Sequence, residues 1–189
     1  FNILTTTQLN ALGTTNIANL SADQTVGLTS TQAAGLTSAN LNALSTKQVR
    51  FLQSTALTAL STSQLAAMST ANFAALSISQ IARLTTSQVA GLDTAHTAVL
   101  SADHIVSLTS AQVAVLSTDS VKLLNTTQLA NLEANDFAAM TTAQLAALTT
   151  ANMALLTEEQ VAALTTAQTA ALTTANLAAM TSTQVQAME

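Results

Sequence analysis

The residues of this 189-residue chain with the clearest capacity for chemistry are His96 and His104, with Asp93 and Asp103 close by. Imidazole and carboxylate side chains in such proximity could ligate a metal ion, and a histidine pair could ligate haem iron. Their spacing matches no zinc-ligand motif, and no third or fourth ligand stands nearby in sequence. The competing reading is that each imidazole replaces the amide of a glutamine in a helix cap. No metal or cofactor is therefore expected. The chain has no Cys, so a cysteine nucleophile, a disulfide scaffold and a cysteine–zinc site are excluded. Serine occurs everywhere, and its position singles out no Ser–His–Asp arrangement. Gly27, Gly35 and Gly91 form neither a dinucleotide fingerprint nor a Walker loop and read as packing or helix-end glycines. Without a convergent set of titratable groups, the chain is not expected to be an enzyme.

The elements that carry these residues are set by an internal repeat. From Leu4, steps of eight land on Leu12, Leu20, Leu28 and so on through Leu148, Leu156, Leu164 and Leu172 to Met188. All 24 positions are Leu or Met, with no insertion or deletion, so the repeat is the architecture. Counting from each anchor, Ser or Thr dominates position one. Position four is Gln or Asn in 18 of 23 octads, and position five is Leu, Ile, Val, Phe or Met in 19 of 23. Positions six and seven are mostly Ala. No linker or composition shift divides the array, so residues 1–189 read as one uninterrupted array. Phe1-Asn2-Ile3 already follows the pattern, and Met188-Glu189 closes on an anchor and the next cap slot. The chain is thus expected to be a window of a longer repeat protein or a stacking protomer.

An octad does not suit one long helix. Eight residues advance about 80° past two full turns, so the Leu stripe would wind around the axis. It suits a strand little better, because spacings of five and three do not keep one face and Ala is a poor strand former. Thr and Val keep a β-solenoid as the alternative. Every position fits a chain of short helices. Ser or Thr followed three residues later by Gln is a capping box, and the flanking apolar residues form a hydrophobic staple. In one octad Met140 and Leu145 are the staple, Thr141 the cap and Gln144 its partner. Each octad starts a new helix too short to stand alone, which must be held by neighbours. The expected fold is an all-α solenoid of about 23 short capped helices, with the anchors Leu4, Leu12, Leu20, Leu28, Leu148, Leu156, Leu164 and Leu172 among its inward residues. Octads 53–60 and 133–140 fit worst, with Gln53, Ala56, Glu133 and Asp136 in unusual slots, and read as drifted repeats.

Composition narrows the partners. Charged residues are 7% of the chain and the net charge is -5, with only four basic residues. That argues against a nucleic-acid partner, which needs a Lys/Arg footprint. Mean hydropathy is positive at +0.41. Polar clusters nevertheless interrupt every apolar run, so no membrane span is expected. No basic stretch followed by an apolar core opens the chain, so no signal peptide is expected either.

The run Thr141-Thr142-Ala143-Gln144-Leu145-Ala146-Ala147-Leu148-Thr149-Thr150-Ala151 resembles the Leu-Thr-Thr-Ala-Gln octad arrays of very large secreted surface proteins of Gram-negative bacteria. Those are often labelled haem utilisation or adhesion proteins. The resemblance spans the whole chain. It implies an extracellular or cell-surface location and a structural role as filament, sheath or adhesin stalk. The partners would be copies of the chain itself and a host or abiotic surface. The alternative is a binding module whose regular Thr-rich face meets ice, mineral or another surface.

Overall fold

The protein is described by a computed structural model over residues 1–188; Glu189, read above as the next cap slot, lies outside the described residues. The chain is all-α, as the capping pattern predicts. The β-solenoid alternative is set aside, because no strand occurs among the described residues. Two compact units divide the chain, residues 1–92 and residues 93–189. The first holds α1 (Thr6–Ala11), α2 (Gly13–Ala18), α3 (Ala22–Val26), α4 (Ser30–Gly35), α5 (Ser38–Ala43), α6 (Thr46–Phe51), α7 (Ser54–Thr58), α8 (Thr62–Ala66), α9 (Thr70–Ala74), α10 (Ile78–Ala82) and α11 (Thr86–Ala90). The second holds α12 (Thr94–Ala98), α13 (Ala102–Val106), α14 (Ser110–Val113), α15 (Thr118–Lys122), α16 (Thr126–Ala130), α17 (Ala134–Ala138), α18 (Thr142–Ala147), α19 (Thr150–Ala154), α20 (Glu158–Ala162), α21 (Thr166–Ala171), α22 (Thr174–Ala179) and α23 (Ser182–Gln186).

Each helix begins where the sequence says it should. In all but α2, α7 and α17 the side chain one residue after the anchor accepts from the backbone N–H at position four. Thr141 is typical, with extended backbone at φ -71 and ψ 157. That extended residue breaks the chain direction once per octad and stops any helix from growing past six residues. At α2 the cap slot is Gly13, whose φ of +71° lies in the left-handed region that glycine reaches without a Cβ clash. No extended residue separates α1 from α2 there.

Neighbours supply the stability that such helices lack. Within each unit a helix packs on the one three places later: α1 on α4, α4 on α7 and α7 on α10, and likewise α12 on α15, α15 on α18 and α18 on α21. Three octads therefore make one turn in each unit, and the helices form three stacks. Positions four, five and eight point inward. Phe73, Phe137, Leu65, Leu129 and Leu145 are among the fully buried side chains. Of the expected anchors, Leu28, Leu148, Leu156 and Leu172 are buried. Leu4, Leu12, Leu20 and Leu164 are half-buried.

Close approach between layers occurs at position seven. A Cβ on Gly35 would lie 2.7 Å from Thr6 Cβ, at position two of the octad one turn earlier. Gly91 stands in the same relation to Thr62. Gly35 is thus required by the approach of Thr6, whereas position seven elsewhere holds side chains as large as Phe51, Arg83 and Leu123.

Leu148 is buried and Thr150 exposed. Leu148→Asp is expected to cost about 3 kcal/mol or more, because it leaves a charge without a partner in the core. Thr150→Lys should stay within about 0.5 kcal/mol. Chemical denaturation of the two variants checks the assignment of the inward face, and equal effects would reverse it.

Candidate functional site: the buried slot at position four

The position-four side chains form the polar interior of both units. Gln48 shows the arrangement. Its Oε1 accepts from the Ser45 N–H at 2.7 Å, which closes the capping box at the start of α6. Its Nε2 donates to the carbonyls of Ile17 and Leu20 at 3.1 and 2.9 Å. Those two oxygens lie at the C-terminal end of α2, where helix carbonyls lack partners within the helix. One amide thereby joins the start of one helix to the end of another a turn earlier. Gln80, Gln88, Gln128, Gln144, Gln160 and Gln184 repeat the link on carbonyls 31 and 28 residues back. No buried side-chain N or O atom among the described residues lacks a partner.

A capping box alone did not reveal this second role, since Glu serves in it as well as Gln. The signal was present all the same: position four never holds Glu in 23 octads. A carboxylate can accept from the cap but cannot donate to the earlier carbonyls.

Asparagine, one methylene shorter, divides the two tasks. Asn72 Nδ2 donates to the Leu44 carbonyl at 2.8 Å, and the Ser69 N–H turns instead to Asn42 Oδ1 at 2.7 Å. At Asn40 the Thr37 N–H turns likewise to Asn10 Oδ1 at 3.1 Å. Asn40 and Asn72 are thus each accompanied by an Asn at position six, 30 residues earlier. Where that companion is Lys122 or Ala146, Asn152 and Asn176 cap their own octads, at 3.1 and 3.2 Å. Arg50 takes up a related link on the surface, its Nε donating to the Ala75 carbonyl at 3.0 Å.

The remaining slots hold the residues that invited a chemical reading. His96 and His104 are both buried in position four, on α12 and α13. His96 Nδ1 lies 2.7 Å from Asp93 Oδ1, which also accepts from the His96 N–H at 2.9 Å. That backbone donor first, and the ring second, hold the Asp93 carboxyl below the ordinary aspartate value. The Ser101 N–H donates to His104 Nδ1 at 3.3 Å, and the Ser101 hydroxyl accepts from the His104 N–H, so the imidazole completes a capping box. The His104 ring thus takes the place of the cap amide, whereas the His96 ring bonds the side chain of its cap residue and closes no capping box. Among the described residues no three His, Cys, Asp or Glu side chains converge as a metal would need. Ser120 is held in a cluster of hydroxyls, 2.9 Å from Ser117 Oγ and 3.1 Å from Thr97 Oγ1. Ala56 brings no polar group, and Gln53 gives its helix no side-chain cap. Asp136 is buried and accepts from Ser110 Oγ at 2.5 Å.

The outer surface is hydroxyl-rich and unevenly charged. In residues 1–92 the stack α2, α5, α8 and α11 carries no charged side chain, and its caps and first turns present Thr14, Thr37, Ser61, Thr62, Thr85 and Thr86. No helix among the described residues is long and apolar enough to cross a membrane.

The family model of the ALTTAQ repeat matches residues 52–86 and 129–166. The chain is a repeat protein. The first match covers four successive octads of the first unit and the second lies wholly in the second unit, so both units carry the same repeat chemistry. No curated protein and no solved structure matches the chain.

Two substitutions test the slot. Gln144→Glu keeps the acceptor for Thr141 but sets a carboxylate against the Val113 and Leu116 carbonyls. It is expected to cost about 2–3 kcal/mol, more than the roughly 1 kcal/mol of Thr141→Ala. Asp136→Asn should do the opposite and stabilise by about 1 kcal/mol, because it restores an amide donor to a slot that lacks one. Thermal melts of the three variants read both outcomes.

Proposed function

We propose that this protein is a structural spacer of the cell surface or extracellular space, acting as a filament, sheath or adhesin stalk and not as an enzyme. The observation that supports this most is the slot itself. The buried amides are used, octad after octad, to tie each helix to the preceding turn. Such a design scales with length, since most octads offer the same buried amide and the same carbonyls for the next turn to reach. A solenoid of this kind gains stability by nearest-neighbour links and extends without altering its core. The near absence of charge removes the repulsion that would otherwise keep copies apart. The partners on this reading are copies of the chain, joined head to tail or side by side, and a host or abiotic surface at the filament's end. Head-to-tail contact is heterologous and propagates unless it closes into a ring.

The uncharged stack α2, α5, α8 and α11 favours a second reading. Hydroxyls repeated at a fixed step on a rigid face suit a regular surface such as ice or mineral. Its first-turn residues vary among Thr, Ser and Ala, as at Thr15, Ala39, Ser63 and Ser87. That variation weakens a lattice match.

Electron microscopy and light scattering of the purified chain at low and high salt separate the two. Fibres that persist at high salt are expected, because few charges are available to screen. A stable monomer at high concentration would overturn the filament, and monomers that reshape ice crystals would establish the alternative.

A further inference from the structure

The two histidines occupy the same slot but are wired with opposite polarity. Asp93 Oδ1 can only accept while the carboxyl is ionised, so the His96 Nδ1 that faces it carries the proton. The Ser101 N–H can only donate, so the His104 Nδ1 that faces it must be bare. A proton added to His104 therefore goes to the one ring nitrogen that the cap of α13 uses as its acceptor. It would turn an N–H···N bond into two opposed N–H groups, inside a side chain that is buried. A proton on the His96 ring meets a carboxylate instead.

We propose that His104 makes the first turn of α13 proton-sensitive: the neutral ring closes the Ser101 cap and the charged ring opens it. Histidine is the side chain whose charge ordinarily changes between pH 5 and 8. The glutamine that occupies most other slots has no such response. The surroundings of α13 in its own unit offer little compensation. The helix packed on it, α16, carries no titratable side chain, and neither does its chain neighbour α14. Asp103, on α13 itself, is exposed, and the groups on α12 are Asp93 and His96, already joined to each other. Asp93 does not confuse the window. Its carboxyl sits below the ordinary aspartate value when folded, so its contribution is present above that value and lost only as pH falls beneath it.

The test is residue-resolved amide exchange on the full chain at pH 7.5 and 5.0, corrected for intrinsic rates. Protection of the Ser101 amide should fall about five-fold or more in the wild type at pH 5.0. His104→Gln should hold its protection at both values, and His96→Gln should leave the Ser101 response in place. Equal protection in the wild type at both pH values, or the same loss in His104→Gln, overturns the proposal. The nitrogen chemical shifts of the wild-type rings give a check that needs no variant. At pH 7.5 His104 should carry its proton on Nε2 alone and His96 on Nδ1; a proton on His104 Nδ1 would also overturn it.

Discussion

The constraint on which most of this structure depends is the buried primary amide at position four, which donates and accepts at once in Gln48, Gln80, Gln88, Gln128, Gln144, Gln160 and Gln184. The donor and acceptor lie on the same sp² carbon, so the amide fixes two chain segments in one geometry. One is the start of its own helix. The other is the end of a helix a turn earlier, where the amide adds a second donor to the position-five carbonyl and meets the anchor carbonyl beyond it. Leaving such groups unpaired costs more than a typical bond gains, so the link is obligatory wherever the slot is closed to water. The core apolar residues provide the driving force, but they are interchangeable, as Leu, Val, Ile, Phe and Met all occupy position five. The amide decides which turn meets which.

This explains why the fold tolerates drift at some positions and compensates it at others. Where the slot shortens to Asn40 or Asn72, a second Asn at position six of an earlier turn, Asn10 or Asn42, assumes the capping task. The hydroxyl cluster of Ser117, Ser120 and Thr97 is another repair, in which a small side chain recruits its neighbours. Thr25 and Thr97, which stand where a large apolar residue is usual, turn their hydroxyls onto the carbonyls of Ser21 and Asp93. In each case the hydrogen-bond account closes, though by a different route.

A solenoid built this way separates its interior from its exterior. Positions two and three of each octad sit outside the core, and they are most often Thr, Ser or Ala. The face that a partner meets can therefore change without touching the links that hold the array together.

The sequence alone determined the helices and their boundaries, because capping is local: Thr141 and Gln144 are three residues apart and need no distant partner. It also determined the inward face, since the anchor series and position five follow from the same octad. The number of octads per turn was not legible. It rests on contacts 28 and 31 residues apart, such as Gln48 to Leu20 and Ile17, and nothing within eight residues encodes them. The second role of the glutamine was hidden for the same reason, with only the exclusion of Glu from position four as its trace. The opposed wiring of His96 and His104 belongs to the tertiary structure too. Both are one residue type in one slot, and only the atom that faces each ring, a carboxylate oxygen or a backbone N–H, decides where the proton must sit.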